Sequence, residues 1–283
     1  MTRTPALFIG HGSPMNTLEN NDYTRAWRSL GKAIPKPKAI LAISAHWYFG
    51  ATAVTAMANP RTIHDFYGFP QELFDVEYPA PGDPELAGEI VELVKPHWVG
   101  LDRDQWGLDH GTWSVLAHLY PEADVPVIQL SLDARKPLSH HLELGRALAP
   151  LRAKGVMVIG SGNVVHNLGR LQWQKPNMGY DWAERFDEAA MRQIGDDPSD
   201  ILKLAEHPDF AQAVPTEDHF LPLLYLAGIA SAEGSEMETL LSGCSMGSIS
   251  MTSYGIGTAL PRGQEGHDAA AIPNTVPPDQ TNM

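Results

Sequence analysis

Cysteine is nearly absent from this chain: Cys244 is the one cysteine among 283 residues. A single thiol excludes an internal disulfide and any thiolate cluster, so a metal site here has to be built from imidazole and carboxylate. Cys244 itself reads as a small core residue. Basic residues are the scarcer charge, with 20 Lys and Arg against 34 Asp and Glu and a formal net charge of -14 at pH 7. The cations are scattered, so the concentrated positive face that a phosphate backbone requires is missing and no nucleic-acid partner is expected. Uninterrupted apolar runs long enough to cross a bilayer are also missing, which argues against a membrane partner. The opening MTRTPALFIGHGS lacks the charged, apolar and cleavage regions of a signal peptide, and the expected location is cytoplasmic.

Hydrophobic residues make up 43% of the sequence, enough for a substantial core. Short apolar runs at residues 6–9, 39–44, 125–130 and 156–160 read as buried strands. Helical spacing appears between and after them, at residues 84–94, 138–151, 181–194 and 219–230, and a further strand is expected within 248–254. This alternation predicts an α/β fold, a single domain whose central, largely parallel or mixed sheet is flanked by helices on both faces. The domain is expected to span residues 1–257. Residues 258–283 turn polar and Pro-rich and read as a loosely ordered tail. The irregular segment 59–81, rich in Pro, Gly and aromatics, exceeds a normal connection and reads as a functional loop.

Twelve histidines are present, and their position relative to the strands separates them. In open α/β sheets ligands bind beyond the carboxyl ends of the strands. The run 6–9 leads into Gly10-His11-Gly12-Ser13, the run 39–44 into Ala45-His46-Trp47, and the run 156–160 into Ser161-Gly162-Asn163 with His166 following. One histidine at a strand end is ordinarily a backbone cap; several at neighbouring strand ends converge over one crevice and make a metal cluster plausible. His219, at the start of an apolar helix, points to the same region. His110, after Asp109, either caps a helix or reaches the site. His64 is a candidate for the pocket entrance, whereas His140 and His141 read as solvated in the first turns of a helix. Gly160-Ser161-Gly162-Asn163 lacks the Lys-Ser/Thr ending of a phosphate loop and the third glycine of a dinucleotide fingerprint, and no Gly-x-Ser-x-Gly elbow is formed.

Several separate segments carry a family resemblance. Leu7-Phe8-Ile9-Gly10-His11-Gly12-Ser13-Pro14-Met15-Asn16, Ser44-Ala45-His46-Trp47, Thr62-Ile63-His64-Asp65-Phe66-Tyr67-Gly68-Phe69-Pro70, Leu108-Asp109-His110-Gly111, Gly160-Ser161-Gly162-Asn163-Val164-Val165-His166-Asn167 and His219-Phe220-Leu221-Pro222-Leu223 stand in the family's order. Together they resemble the DOPA-type extradiol ring-cleavage dioxygenases of the class III extradiol superfamily, from near the N-terminus to about Gly257. The resemblance implies that His11, His46 and His219 bind one divalent metal ion, that His166 is the acid–base histidine beside the substrate, and that His110 is a second pocket histidine. It further implies a small-molecule catechol such as DOPA and O2 as substrates, a muconic semialdehyde product, and a monomer or small homo-oligomer.

One departure bears on the metal. The wider superfamily carries a glutamate as third ligand where this chain has His219, as in the DOPA-type branch. Three histidines also suit zinc, so Zn2+ is expected in the isolated protein and Fe2+ for oxygenase activity, because zinc has no redox chemistry. Trp47, Phe66, Tyr67 and Phe69 are candidates for apolar walls around a flat ring. The competing readings are a zinc-dependent hydrolase using the same three histidines and a non-catalytic metal-binding protein.

Overall fold

The computed structural model of the chain describes residues 3–258, 264–273 and 276. Its centre is formed by four parallel strands, β1 (Ala6–Gly10), β2 (Ala39–Phe49), β5 (Val127–Asp133) and β6 (Val156–Gly162), in the spatial order β1-β6-β2-β5. Two short strands, β3 (Ala53–Thr55) and β4 (Gly100–Asp102), extend the sheet beyond β5, with β3 antiparallel to it. On the other side β10 (Ser253–Ile256) runs antiparallel to β1 and is followed by β7 (Glu238–Ser242) and β11 (Gln264–Glu265). The sheet is therefore mixed, with a parallel centre.

Alternation along the central strands divides the core in two. Phe8, Leu41, Ile43 and Val158 face one buried cluster, which is covered by α3 (Pro84–Leu93), α5 (Leu138–Leu148), α6 (Asp181–Asp196) and α8 (Leu221–Glu233). Leu7, Ile9, Ile40 and Met157 face the other, beneath α1 (Asp22–Ala33) and α4 (His110–Leu119). Two single-turn helices, α2 (Gln71–Phe74) and α7 (Phe210–Ala213), lie in the connections. All of Leu221 to Ala230 is buried, as suits a helix apolar on every side. Among the described residues no helix is long and apolar enough to cross a membrane.

The end of α5 and the final strand differ from their sequence expectation. The helix expected to reach residue 151 stops at Leu148 and tightens into a 3-10 segment, Ala149–Lys154; Pro150 has no amide with which to continue the α-helical ladder. The strand expected within 248–254 splits into β9 (Ile249–Ser250), which pairs with β8 (Cys244–Ser245) just before the run to make a small hairpin, and then β10. Met246 and Gly247, both at positive φ, form its turn. Cys244 is half-buried beside that turn. Of the tail, residues 264–273 and 276 are described, and Ala269, Ala270, Ile272 and Val276 are buried.

Candidate metal centre

The carboxyl ends of β1, β6 and β2 meet at one point, and short backbone links lace them together. The His11 amide donates to Gly162 O at 3.2 Å, and the Asn163 amide donates to His219 O at 2.9 Å. Glycine is required at this crossing: a β-carbon on Gly162 would stand 2.2 Å from His219 O. A second close approach brings α4 against β2, where a β-carbon on Gly111 would meet Ser44 Oγ at 2.5 Å and His46 Cδ2 at 2.7 Å. β2 is irregular at this place. Ile43 pairs with Leu130 and Tyr48 with Leu132, so the residues from Ser44 to Trp47 bulge out of register and carry the His46 ring to the site.

His11, His46, His110, His166 and His219 are all buried and contiguous. His166 is the most open of them at 9% exposure. His11 Nε2 and His46 Nε2 stand 3.1 Å apart. The ring of His110 lies 3.9 Å from that of His46, centre to centre, while His219 lies 5.4 Å from His11 and 5.0 Å from His46. Among the described residues, His11, His46 and His110 form the group whose donor atoms all fall within 4.8 Å of one another. The structure thus gathers every sequence-predicted site residue, and His110 stands at least as near the focus as His219.

Hydrogen bonding fixes which nitrogens face the centre. Ser161 Oγ donates to Gly111 O at 2.5 Å, so it accepts from His11 Nδ1 at 2.9 Å and leaves His11 Nε2 with a bare lone pair. Asp218 Oδ2 accepts from His219 Nδ1 at 2.7 Å, which leaves His219 Nε2 bare, buried and without a partner. This is the carboxylate–histidine pairing that orients metal-binding imidazoles. Asp65 serves the other side. Its Oδ1 accepts from the His110 amide at 2.9 Å, while Oδ2 lies 3.0 Å from His110 Nδ1 and 3.4 Å from His46 Nδ1, at charge-pairing distance though not aligned as hydrogen bonds.

Electrostatics favour neutral imidazole, the metal-binding form. Burial, followed by the neighbouring histidines, lowers the pKa of His11 and of His46 well below the ordinary histidine value. His166 is lowered likewise by burial first and then by His219. Asp218 is pushed up by burial but held below its ordinary value by the His219 ring beside it. The donor set passes the test of fit for a small divalent ion. Two nitrogens on one tetrahedral ion at about 2.0–2.1 Å stand roughly 3.3 Å apart, close to the His11–His46 spacing, at which the two Nε2 atoms either share one hydrogen or face a common cation.

The aromatic residues divide. Trp47 stacks on Trp106 with centres 5.6 Å apart and planes at 2°, and Phe66 packs edge-on against His110 at 5.4 Å. Phe69 is buried against Phe66, whereas Tyr67 is 47% exposed. His64 is tied into its own loop, with Nε2 2.9 Å from Val76 O. His141, expected in solvent, is instead buried under α8 with Nδ1 3.0 Å from Tyr225 Oη. The residues that sequence reasoning missed are the partners behind the rings: Ser161, Asp65 and Asp218. Their one signal in the sequence is adjacency to motif residues.

Comparison with known proteins agrees with this geometry. Residues 5–257 match the family model described as the catalytic LigB subunit of aromatic ring-opening dioxygenase. The chain is 49% identical over 261 residues to a 4,5-DOPA dioxygenase extradiol of Escherichia coli (strain K12), covering 90% of this chain and 96% of that protein. It is 37% identical over 257 residues to the 4,5-DOPA dioxygenase extradiol of Beta vulgaris, covering 88% and 94% respectively. The crystal structure of an uncharacterized protein from Escherichia coli K12 superposes with a TM-score of 0.78 at 43% identity, covering 90% of this chain and all of that one.

Proposed function

Because the chain belongs to the LigB family of aromatic ring-opening dioxygenases and is an extradiol dioxygenase, we propose that it opens catechols such as DOPA at the five-histidine centre. In this reading His11, His46 and His219 hold one ferrous ion, His166 moves protons, and the product is a muconic semialdehyde. The observation that carries it is the convergence of buried ring nitrogens on one point: His11 Nε2 facing His46 Nε2 at 3.1 Å, with the partnerless His219 Nε2 beside them. A ferrous ion bound there supplies Lewis acidity toward the catechol oxygens and the electron that reaction with dioxygen requires, which zinc does not.

The protein's own residues do the rest. Ser161 and Asp218 hold His11 and His219 with their Nε2 atoms toward the centre. His219 is assigned as third ligand because a directed hydrogen bond fixes its tautomer. His110, backed by Asp65 and set against His46, is assigned to contact the substrate. His166 is neutral because burial disfavours its charged form, so it accepts a proton from a catechol hydroxyl and returns it as the ring opens. Phe66 against His110, and Trp47 stacked on Trp106, supply flat apolar surface near the reacting ring. The buried surroundings keep bulk water from competing.

Metal analysis of single His→Ala variants tests the assignment. His11→Ala, His46→Ala and His219→Ala lose bound metal, and His110→Ala and His166→Ala retain it. Metal retained by His219→Ala and lost from His110→Ala would reassign the third ligand. Ester or amide hydrolysis by the zinc form, with no oxygen uptake by the iron form, would favour a hydrolase on the same site.

A further inference from the structure

Residues 264–273 lie C-terminal to the family-matched region 5–257, yet their described part is tied to the two loops that carry the proposed chemistry. On the His11 side, the Ala270 amide donates to Asn16 Oδ1 at 2.9 Å, and Asn16 Nδ2 in turn donates to the carbonyl of His11 itself at 3.0 Å. Ser13 Oγ donates to Ala271 O at 3.3 Å. On the His166 side, Trp173 Nε1 donates to Ile272 O at 2.9 Å, and the Ile272 amide lies 3.3 Å from Met246 Sδ. Met246 belongs to the β8–β9 turn. Its carbonyl accepts from the Gln172 amide at 2.8 Å, and β9 bridges directly to His166 through Ile249.

Further back, the Gly266 carbonyl accepts from Tyr23 Oη at 2.8 Å, and the His267 amide donates to Asp22 Oδ2 at 3.0 Å, which ties the segment to α1. Burial is continuous with this bonding. Ala269 and Ile272 join the same apolar cluster as Met246, Ile249 and Met251, with Met15, Leu168 and Leu171 packed against it, and Ala270 is buried between them. A segment that only covered surface would have no reason to bond both catalytic loops.

The geometry points to a positioning role: residues 264–273 form a strap that holds the loop carrying His11 in register with the loop that follows His166. The strap touches neither substrate nor reacting atoms. It acts through Asn16 on the His11 backbone, and through Met246 and Trp173 on the His166 loop. A single segment bonded to both fixes the distance between the proposed metal ligand and the proposed proton carrier. The inference rests on the assignment of His11 and His166 given above.

The test uses the full-length chain without added metal. Ile272→Glu places a charge in the buried seat of the strap, and Trp173→Phe removes one N–H donor while keeping the ring. Amide hydrogen exchange is followed in three segments, 264–273, 11–18 and 166–173, and Zn2+ affinity is measured by competition with a chelator. The strap account expects faster exchange in all three segments and a Zn2+ affinity roughly tenfold weaker for Ile272→Glu, with a smaller change in the same direction for Trp173→Phe. Release of segment 264–273 with wild-type exchange in the other two overturns the proposal, and so do loosened loops with wild-type Zn2+ affinity. Should Ile272→Glu fail to fold, Trp173→Phe alone decides by the same criteria. Retention of Zn2+ by His11→Ala would overturn the ligand assignment instead, which separates the two failures.

Discussion

His166 and His219 lie ring on ring, 3.5 Å between centres and 5° between planes. Two imidazolium rings at that distance repel, so a positive charge gained by His166 is disfavoured beside His219, and Asp218 at 2.7 Å from His219 Nδ1 holds the second ring in place. A proton taken up by His166 is therefore easily given back. Replacing His166 by Ala is expected to lower turnover by about 10²–10⁴-fold, the usual worth of a positioned acid–base group, while metal content stays at wild type. Steady-state rates and metal analysis on the same preparation check both halves.

Asp218→Asn removes the anionic acceptor behind His219, and Asp65→Asn removes the carboxylate shared by His46 and His110. Each substitution is expected to weaken metal affinity by about 10–100-fold, the usual cost of losing an outer-shell partner. Chelator competition measures this directly. Equal affinity in both variants and wild type would show that the rings are held by packing alone.

Much of this site is legible in the sequence because strand ends announce themselves: glycines after apolar runs place His11 and His166 where parallel strands stop, and His46 follows the apolar run of β2. His219 was legible from its place at the start of an apolar helix, and the family resemblance then singled out His11, His46 and His219 as the ligands. The supporting residues were not legible for a physical reason. Asp65 works by lying between two rings contributed by β2 and α4, and Ser161 by relaying a hydrogen bond from His11 to Gly111; neither relation has a spacing along the chain. The fold shows the same division. Parallel strands and their helices follow from periodicity, whereas the bulge at His46 and the packing of residues 269–272 depend on partners far away in sequence.

The buried Asp187 accepts hydrogen bonds from Ser250 Oγ and Thr252 Oγ1, both at 2.6 Å, and burial raises its pKa from 3.8 to about 6. Because the folded chain binds this proton more tightly than the unfolded one, the stabilisation is complete below the unfolded pKa near 4. It is lost as pH rises through about 6, a change of about 3 kcal/mol. Asp187→Asn removes the titration, and the two hydroxyls can reorient toward an amide. Denaturant melts from pH 4 to pH 7 are expected to show the variant gaining stability relative to wild type across that window. A constant difference between the two would contradict the assignment.

Arg152, 3% exposed, pairs with the largely covered side chain of Glu233 and donates to Thr4 O at 2.7 Å and Ile256 O at 3.2 Å. It fastens β10 and the N-terminal segment to the end of α8. Arg152→Ala leaves Glu233 with the exposed Arg3 at 3.6 Å, and a loss of about 3–5 kcal/mol is expected. Metal affinity should be unchanged, because the pair sits at the end of the fold away from the histidines. Thermal melts alongside chelator competition separate the two effects.

The most direct test of ring-opening chemistry is isotopic. Protein loaded with Fe2+ under anaerobic conditions is given DOPA and ¹⁸O2, and the product is analysed by mass before exchange with water. The account predicts consumption of one O2 per catechol and a ring-opened semialdehyde carrying both labelled atoms, with neither seen for His219→Ala. Unlabelled product, or a catechol left intact by fully iron-loaded protein, would contradict it.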